Sequence, residues 1–144
     1  MKLITLTLGL VLFISHNVRA QEPVDAAIDA METYLDFVEF GGGIVLPKQI
    51  SGGEWKTYHI IDTRQAEDYA AGHLEGARHI EWRNILARRN EIPRDRLVLL
   101  YCNTGMQSAQ AYFALRVAGW DNARLLQGGL EAWRRDADPA TIVK

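Results

Sequence analysis

The stretch that most constrains this chain is Leu97–Trp120, LVLLYCNTGMQSAQAYFALRVAGW, because its periodicity changes around the only cysteine in the sequence. Leu97 to Tyr101 is an unbroken apolar run of strand length, the pattern of a central parallel strand covered on both faces. From Ser108 onward, Ala111, Tyr112, Leu115 and Ala118 fall on one face of a helix that Gly119 ends. The polar residues between them, Cys102-Asn103-Thr104-Gly105-Met106-Gln107, read as a six-residue loop. A tight strand-to-helix loop aims its backbone N–H groups, and the positive end of the helix dipole, at whatever stands at the strand's carboxyl end. Here that is a thiol, and a helix N-terminus favours its nucleophilic thiolate by about 0.3–1 kcal/mol. Cysteine is also a small hydrophobe that cores bury readily, so residue type alone leaves a structural and a reactive reading open. Its place at a strand's carboxyl end, where open α/β sheets put their sites, favours the reactive one.

The rest of the chain alternates in the same way. Ile44 to Leu46 is a short strand candidate after Gly41-Gly42-Gly43, and His59 to Asp62 is another, ending in Asp-Thr-Arg. Gln65 to Ala71 reads as a short helix closed by Gly72, Ala77 to Ile80 as a strand, and Glu81 to Asn90 as an Arg-rich helix before Pro93. Arg124 to Gln127 is the last strand, and Gly128-Gly129 permits a close backbone approach before a final helix over Leu130 to Asp136. Strands and helices alternating across short connections specify an α/β class with a parallel sheet and right-handed crossovers.

Three of these segments carry a resemblance. YCNTGMQS resembles the active-site loop of rhodanese-homology domains, especially the small single-domain periplasmic rhodaneses of the phage-shock type. Ile60-Ile61-Asp62-Thr63-Arg64, with Tyr69-Ala70-Ala71-Gly72-His73-Leu74-Glu75-Gly76-Ala77, is similar to that family's Asp-x-Arg and Gly-His-(Ile/Leu)-x-Gly-Ala motifs. Leu126-Gln127-Gly128-Gly129-Leu130-Glu131-Ala132-Trp133 is similar to its C-terminal Gly-Gly-x-x-x-Trp motif, so the likeness runs from about Gly43 to Arg135. It implies a rhodanese-like three-layer fold, a parallel five-stranded sheet with helices on both faces.

The resemblance divides the chain into a rhodanese-like domain over 43–137 and a tail over 138–144. Ahead of them, 1–20 reads as a secretory signal peptide: Lys2 is the basic n-region, Leu3 to Ile14 the apolar core, and Val18-Arg19-Ala20 the cleavage region. The expected location is therefore the periplasm. Cleavage removes Lys2 and Arg19, so the formal charge goes from −2 to −4 in the mature chain, which disfavours nucleic acid and anionic membrane as partners. One cysteine permits no internal disulfide, which in an oxidising compartment leaves an unpaired thiol to explain. Residues 21–42 read as an N-terminal helix packed on the domain, with Ile28, Met31, Leu35 and Val38 as its inward stripe and five acids on other faces.

The resemblance also implies chemistry. Rhodaneses are sulfurtransferases, so Cys102 is the expected nucleophile, carrying a persulfide between a small anionic sulfur donor and a thiophilic acceptor such as cyanide or a thiol, a periplasmic protein thiol included. Asn103, Thr104, Gly105, Met106, Gln107 and Ser108 are the expected persulfide-binding loop, and Arg64, just past a strand's carboxyl end, is either at the site rim or in a structural ion pair with Asp62 or another acid. Asp62 reads as a turn acceptor for nearby N–H groups. No cofactor is expected, and no metal, because His59, His73 and His79 lack ligand spacing. Phage-shock-type relatives carry Arg where this chain has Met106, and residues 103–108 hold no cation. One missing charge-assisted contact to a dianion costs about 1.5–3 kcal/mol, which is about ten- to hundred-fold in transition-state binding. Thiosulfate is then a poor donor, and a persulfide or polysulfide a better one. Related dual-specificity phosphatases grip their oxyanion with an arginine at the position Ser108 occupies, which argues against phosphate chemistry. A non-turnover sulfur carrier, or a partner-binding module, is the alternative.

Overall fold

In the computed structural model, which describes residues 23–144, the apolar run before Cys102 becomes the middle strand of a five-stranded sheet. In chain order the elements are α1 (Pro23–Phe37), β1 (Ile44–Val45), α2 (Pro47–Ile50), β2 (His59–Asp62), α3 (Ala66–Ala71), β3 (His73–Leu74), β4 (Arg78–His79), β5 (Val98–Tyr101), α4 (Met106–Val117), β6 (Ala123–Leu126), α5 (Gly129–Asp136) and β7 (Ile142–Val143). The sheet runs β1-β6-β5-β2-β4 and every pairing in it is parallel. Asp62 of β2 lies opposite Tyr101 of β5, which brings the Asp-Thr-Arg turn and the cysteine loop out of the sheet side by side.

All four residues of β5 are buried because both faces of the sheet are covered. Side chains alternate across a strand, so Leu99 and Tyr101 join a cluster with Ile50, Ile60, Leu126, Leu130 and Trp133 beneath α2 and α5. Val98 and Leu100 join a second cluster with Ile61, Ile85, Ala111, Leu115 and Trp120 beneath α4. Trp133, fully buried, stands edge-on to Trp55 at 6.1 Å between ring centres. Truncating such a side chain to alanine costs about 3–5 kcal/mol, so the tryptophan of the final motif is a core anchor.

Two expectations are corrected, and the tail over 138–144 acquires a partner. The Arg-rich segment over 81–90 is not an α-helix: two short 3₁₀ turns, Trp82–Asn84 and Arg89–Glu91, flank a turn. Ile85 is the only buried residue between 81 and 90, too little to form the stripe a helix buries. The tail is docked: Ile142–Val143 pairs antiparallel with His73–Leu74, and Trp133 Nε1 donates to Thr141 Oγ1 at 2.8 Å. Finally, α1 and the residue that follows it meet the domain through Ala30, Tyr34 and Val38, each half-buried; of the expected stripe Val38 is on this row, while Ile28, Met31 and Leu35 stay 43–63% exposed. Aromatic pairing chooses that row, since Tyr34 stands edge-on to Phe113 at 5.2 Å, with the Arg116 guanidinium 5.9 Å from the Tyr34 ring. Among the described residues no helix is long and apolar enough to cross a membrane. The signal peptide read over 1–20 lies outside them.

Candidate active site

Cys102 follows β5 directly and is 2% exposed. Its sulfur accepts from the backbone N–H of Gly105 at 3.2 Å and from Ser108 Oγ at 3.5 Å. Gly105 caps α4 with φ +100°, a left-handed conformation that turns its N–H back toward the strand end. The helix therefore begins at Met106, two residues before the sequence placed it, so Met106 and Gln107 form its first turn and the loop proper is Cys102 to Gly105. No side-chain cap marks that boundary. Met106 points its chain to solvent at 75% exposure, while Ser108 is fully buried, with Gly105 O at 3.1 Å as the alternative acceptor for its single hydroxyl proton. Thr104 is exposed, and Asn103 and Gln107 are half-buried.

The loop's carbonyls are held from the other side. Leu130 and Glu131, in the first turn of α5, donate their N–H groups to Cys102 O at 2.8 Å and Asn103 O at 3.0 Å. This close approach is what Gly129 permits: its φ is +56°, and a Cβ there would collide with Cys102 O. The sequence had flagged Gly128-Gly129 as a close approach without showing to what. The loop is thus fixed with its carbonyls toward α5 and the Gly105 N–H toward the sulfur, which preorganises a donor for negative charge on Cys102.

Of the two readings of Arg64, the geometry takes the ion pair with Asp62. Arg64 is 3% exposed and bound to Asp62, with Nη2 2.6 Å from Oδ2 and Nε 3.0 Å from Oδ1. Nη2 also reaches Gly72 O at 2.7 Å, and Nη1 donates to Asn103 Oδ1 at 3.2 Å. Burial works against the Arg64 charge, but the hydrogen bond and charge of Asp62 outweigh it and hold the guanidinium above its ordinary value. Asp62 also accepts from the Arg64 N–H at 3.0 Å, the turn role expected of it, and from Tyr101 Oη at 2.7 Å. Burial, then the charge of Asp62, raises the Tyr101 phenol, which therefore stays a neutral donor. Asp68 was not expected at the site. It lies in the first turn of α3 and accepts from Asn103 Nδ2 at 3.4 Å. Nothing local in the sequence signals this, because the two residues are 35 positions apart. His73 stacks on Tyr69 at 3.9 Å and contacts its backbone oxygen through Nδ1, a structural place within the turn.

With this geometry in view, comparison with known proteins decides the family. The rhodanese-like domain family model matches residues 46–136. The chain belongs to the rhodanese-like domain family. Among curated relatives, the probable adenylyltransferase/sulfurtransferase MoeZ of Mycobacterium tuberculosis is 31% identical over 108 residues, covering 71% of this chain and 27% of that protein. The chain thus spans about a quarter of that relative's length. The thiosulfate sulfurtransferase GlpE of Pseudomonas entomophila is 34% identical over 77 residues, covering 52% of this chain and 69% of GlpE. A crystal structure of a rhodanese-related protein from Thermoplasma volcanium superposes with a TM-score of 0.62 at 21% identity, over 69% of this chain and 95% of that one, and shares the fold. The rhodanese fold thus has relatives named as sulfurtransferases, and Cys102 stands at the carboxyl end of its central strand.

Proposed function

We propose that this protein is a sulfurtransferase that passes a sulfane sulfur from a donor to a thiophilic acceptor through a persulfide on Cys102, acting in the periplasm after its leader is removed. The observation that carries the reading is the Gly105 N–H 3.2 Å from the Cys102 sulfur, on a loop whose carbonyls are tied to α5. In the first half-reaction the Cys102 thiolate attacks the outer sulfur of the donor. The donor's S–S bond breaks, its inner fragment leaves with the electron pair, and a Cys102 persulfide remains. In the second, cyanide or a thiolate attacks the outer sulfur and Cys102 leaves as thiolate. Covalent catalysis in two halves predicts ping-pong kinetics. The loop amide stabilises the anion in both halves, where negative charge sits on sulfur.

The donor class follows from charge. Residues 103–108 hold no cation and Arg64 is spent on Asp62, so nothing in the loop offers a dianion a charge-assisted contact. A persulfide or polysulfide is the better donor and thiosulfate a slow one. The test is Cys102→Ser in the full chain. Wild type treated with polysulfide gains a mass adduct of about 32 Da, one sulfur atom, that cyanide removes as thiocyanate, and the variant gains none. A folded Cys102→Ser protein that retains transfer, or a wild type that takes up no sulfur, overturns the reading.

A further inference from the structure

The loop lies between two helices that each bring a carboxylate in their first turn. Asp68 of α3 accepts from Asn103 Nδ2 at 3.4 Å, and Glu131 of α5 donates its backbone N–H to Asn103 O at 3.0 Å. Both residues are exposed. The cation that reaches the loop, Arg64, is buried behind it, bidentate on Asp62, with Gly72 O and Asn103 Oδ1 taking further donors. It neutralises Asp62, and Asp68 acts on it as a further, weaker charge partner. Asp68 thus shares Arg64 with the fully buried Asp62, one cation between two carboxylates, which leaves net negative charge beside Asn103.

We infer that Asp68 makes this site select acceptors whose thiol lies next to a positive charge over acceptors whose thiol lies next to a carboxylate. This rests on the persulfide reading above. The step it governs is attack by the acceptor thiolate on the outer sulfur of the Cys102 persulfide. The new S–S bond joins acceptor and outer sulfur, the old S–S bond breaks, Cys102 keeps its electron pair as thiolate, and the proton of the persulfide stays with the transferred sulfur. An ammonium beside the incoming sulfur is drawn toward Asp68, and a carboxylate there is repelled. Exposed ion pairs are worth about 0.2–1 kcal/mol, so a single exposed carboxylate discriminates opposite unit charges by about three- to tenfold at low salt.

The experiment uses the purified chain loaded with sulfur from inorganic polysulfide, the Cys102 adduct verified by mass, and follows its discharge by cysteamine, 2-mercaptoethanol and 3-mercaptopropionate. Intrinsic reactivity differs among the three thiols, so the quantity read is the cysteamine to 3-mercaptopropionate rate ratio in variant against wild type. In Asp68→Asn this ratio should fall by about three- to tenfold, in Asp68→Lys it should fall further, and raising the salt should compress the wild-type ratio in the same direction. Asp68 is exposed and its hydrogen bond to Asn103 is long, at 3.4 Å, so its loss leaves the core untouched; circular dichroism checks the fold, and uptake of sulfur from polysulfide checks the loop in both variants. A ratio that stays put in both variants overturns the charge assignment while sulfur transfer itself stands. A loaded wild type that none of the thiols discharges, neutral 2-mercaptoethanol included, overturns the transfer reading and this inference with it.

Discussion

The Cys102 loop and helix α1 sit at opposite ends of a scale of constraint. The loop is bound on its carbonyl side by two amides of α5, on its amide side by the sulfur, and through Asn103 by Arg64 and Asp68. Those partners come from three separate elements, so no single neighbour can shift the loop without breaking bonds to the others. Helix α1 touches the domain through a single row of side chains, around Tyr34 on Phe113, and buries no residue fully. The contrast teaches where substitutions should register: at the loop as lost function and stability together, at α1 as a small stability change that depends on which face is touched.

The sharpest way to break the loop's side of the comparison is from beneath. Arg64→Leu removes the partner of an Asp62 that is fully buried, and an unpaired buried charge costs about 3–5 kcal/mol. Denaturant titration should show this loss, and adding Asp62→Asn to the same protein should recover part of it, because the two residues act as one unit. A loss under about 1 kcal/mol in Arg64→Leu would mean that the ion pair is not what seats the loop.

Gly129→Ala tests the other side. Its φ of +56° and the collision of a new Cβ with Cys102 O together demand a shift of α5 or of the loop. Strain of this kind costs about 1–3 kcal/mol. Because the obstructed atom belongs to the nucleophile's own residue, kcat/KM for sulfur transfer should fall by more than the stability loss explains, when both are measured at a temperature where the variant is fully folded. Equal activity in wild type and Gly129→Ala would show that the α5 amides do not position the sulfur.

Met106→Arg sharpens the comparison by adding function where the loop has none. The side chain is 75% exposed at the first residue of α4, beside the cysteine loop, so an arginine there meets no obstruction. Its charge-assisted contact to thiosulfate should raise kcat/KM for that donor by about tenfold. The gain should shrink with salt and be smaller for a less charged sulfane donor. A cation at a helix N-terminus also opposes the dipole, so stability should drop by about 0.3–1 kcal/mol, which separates the two effects. An unchanged thiosulfate rate would assign the oxyanion contact to the backbone amides alone.

How much of this was legible in the sequence follows the same divide. The central strand, the cysteine at its end and the close approach at Gly128-Gly129 could be read because each is a local pattern: an apolar run, a residue type, and a pair of glycines. The start of α4 was set two residues late because Gly105 caps it with backbone alone and its first turn, Met106 and Gln107, faces outward, so the apolar period becomes visible only at Ser108 and Ala111. For Arg64 the sequence left the rim and an ion pair with Asp62 open, because its other side-chain partners lie 8 and 39 residues away. Long-range hydrogen bonds leave no periodicity. For α1 the pattern misled: apolarity ranked Ile28, Met31 and Leu35 above Tyr34, whereas ring geometry on Phe113 decided the docking face.

That reversal yields the smallest and most discriminating effect. Two faces of α1 make opposite demands, and the sequence pattern and the structure disagree on which one is inward. If Tyr34 is the anchor, Tyr34→Ala removes an edge-on aromatic pair and the ring beneath Arg116, with a loss of about 1–2 kcal/mol. Leu35 is 63% exposed and Met31 43% exposed, so Leu35→Ser and Met31→Ser should each change stability by no more than about 0.5 kcal/mol, as surface substitutions do. The comparison must be made within one helix so that serine's poorer helix propensity, a few tenths of a kcal/mol, is common to both serine variants and can be subtracted with an exposed control such as Ala27→Ser. Sulfur transfer should be the same in all of them, since α1 makes none of the hydrogen bonds that hold the loop. The opposite order, with Leu35→Ser costing more than Tyr34→Ala, would restore the heptad-like stripe as the docking face and turn α1 about its axis on the domain.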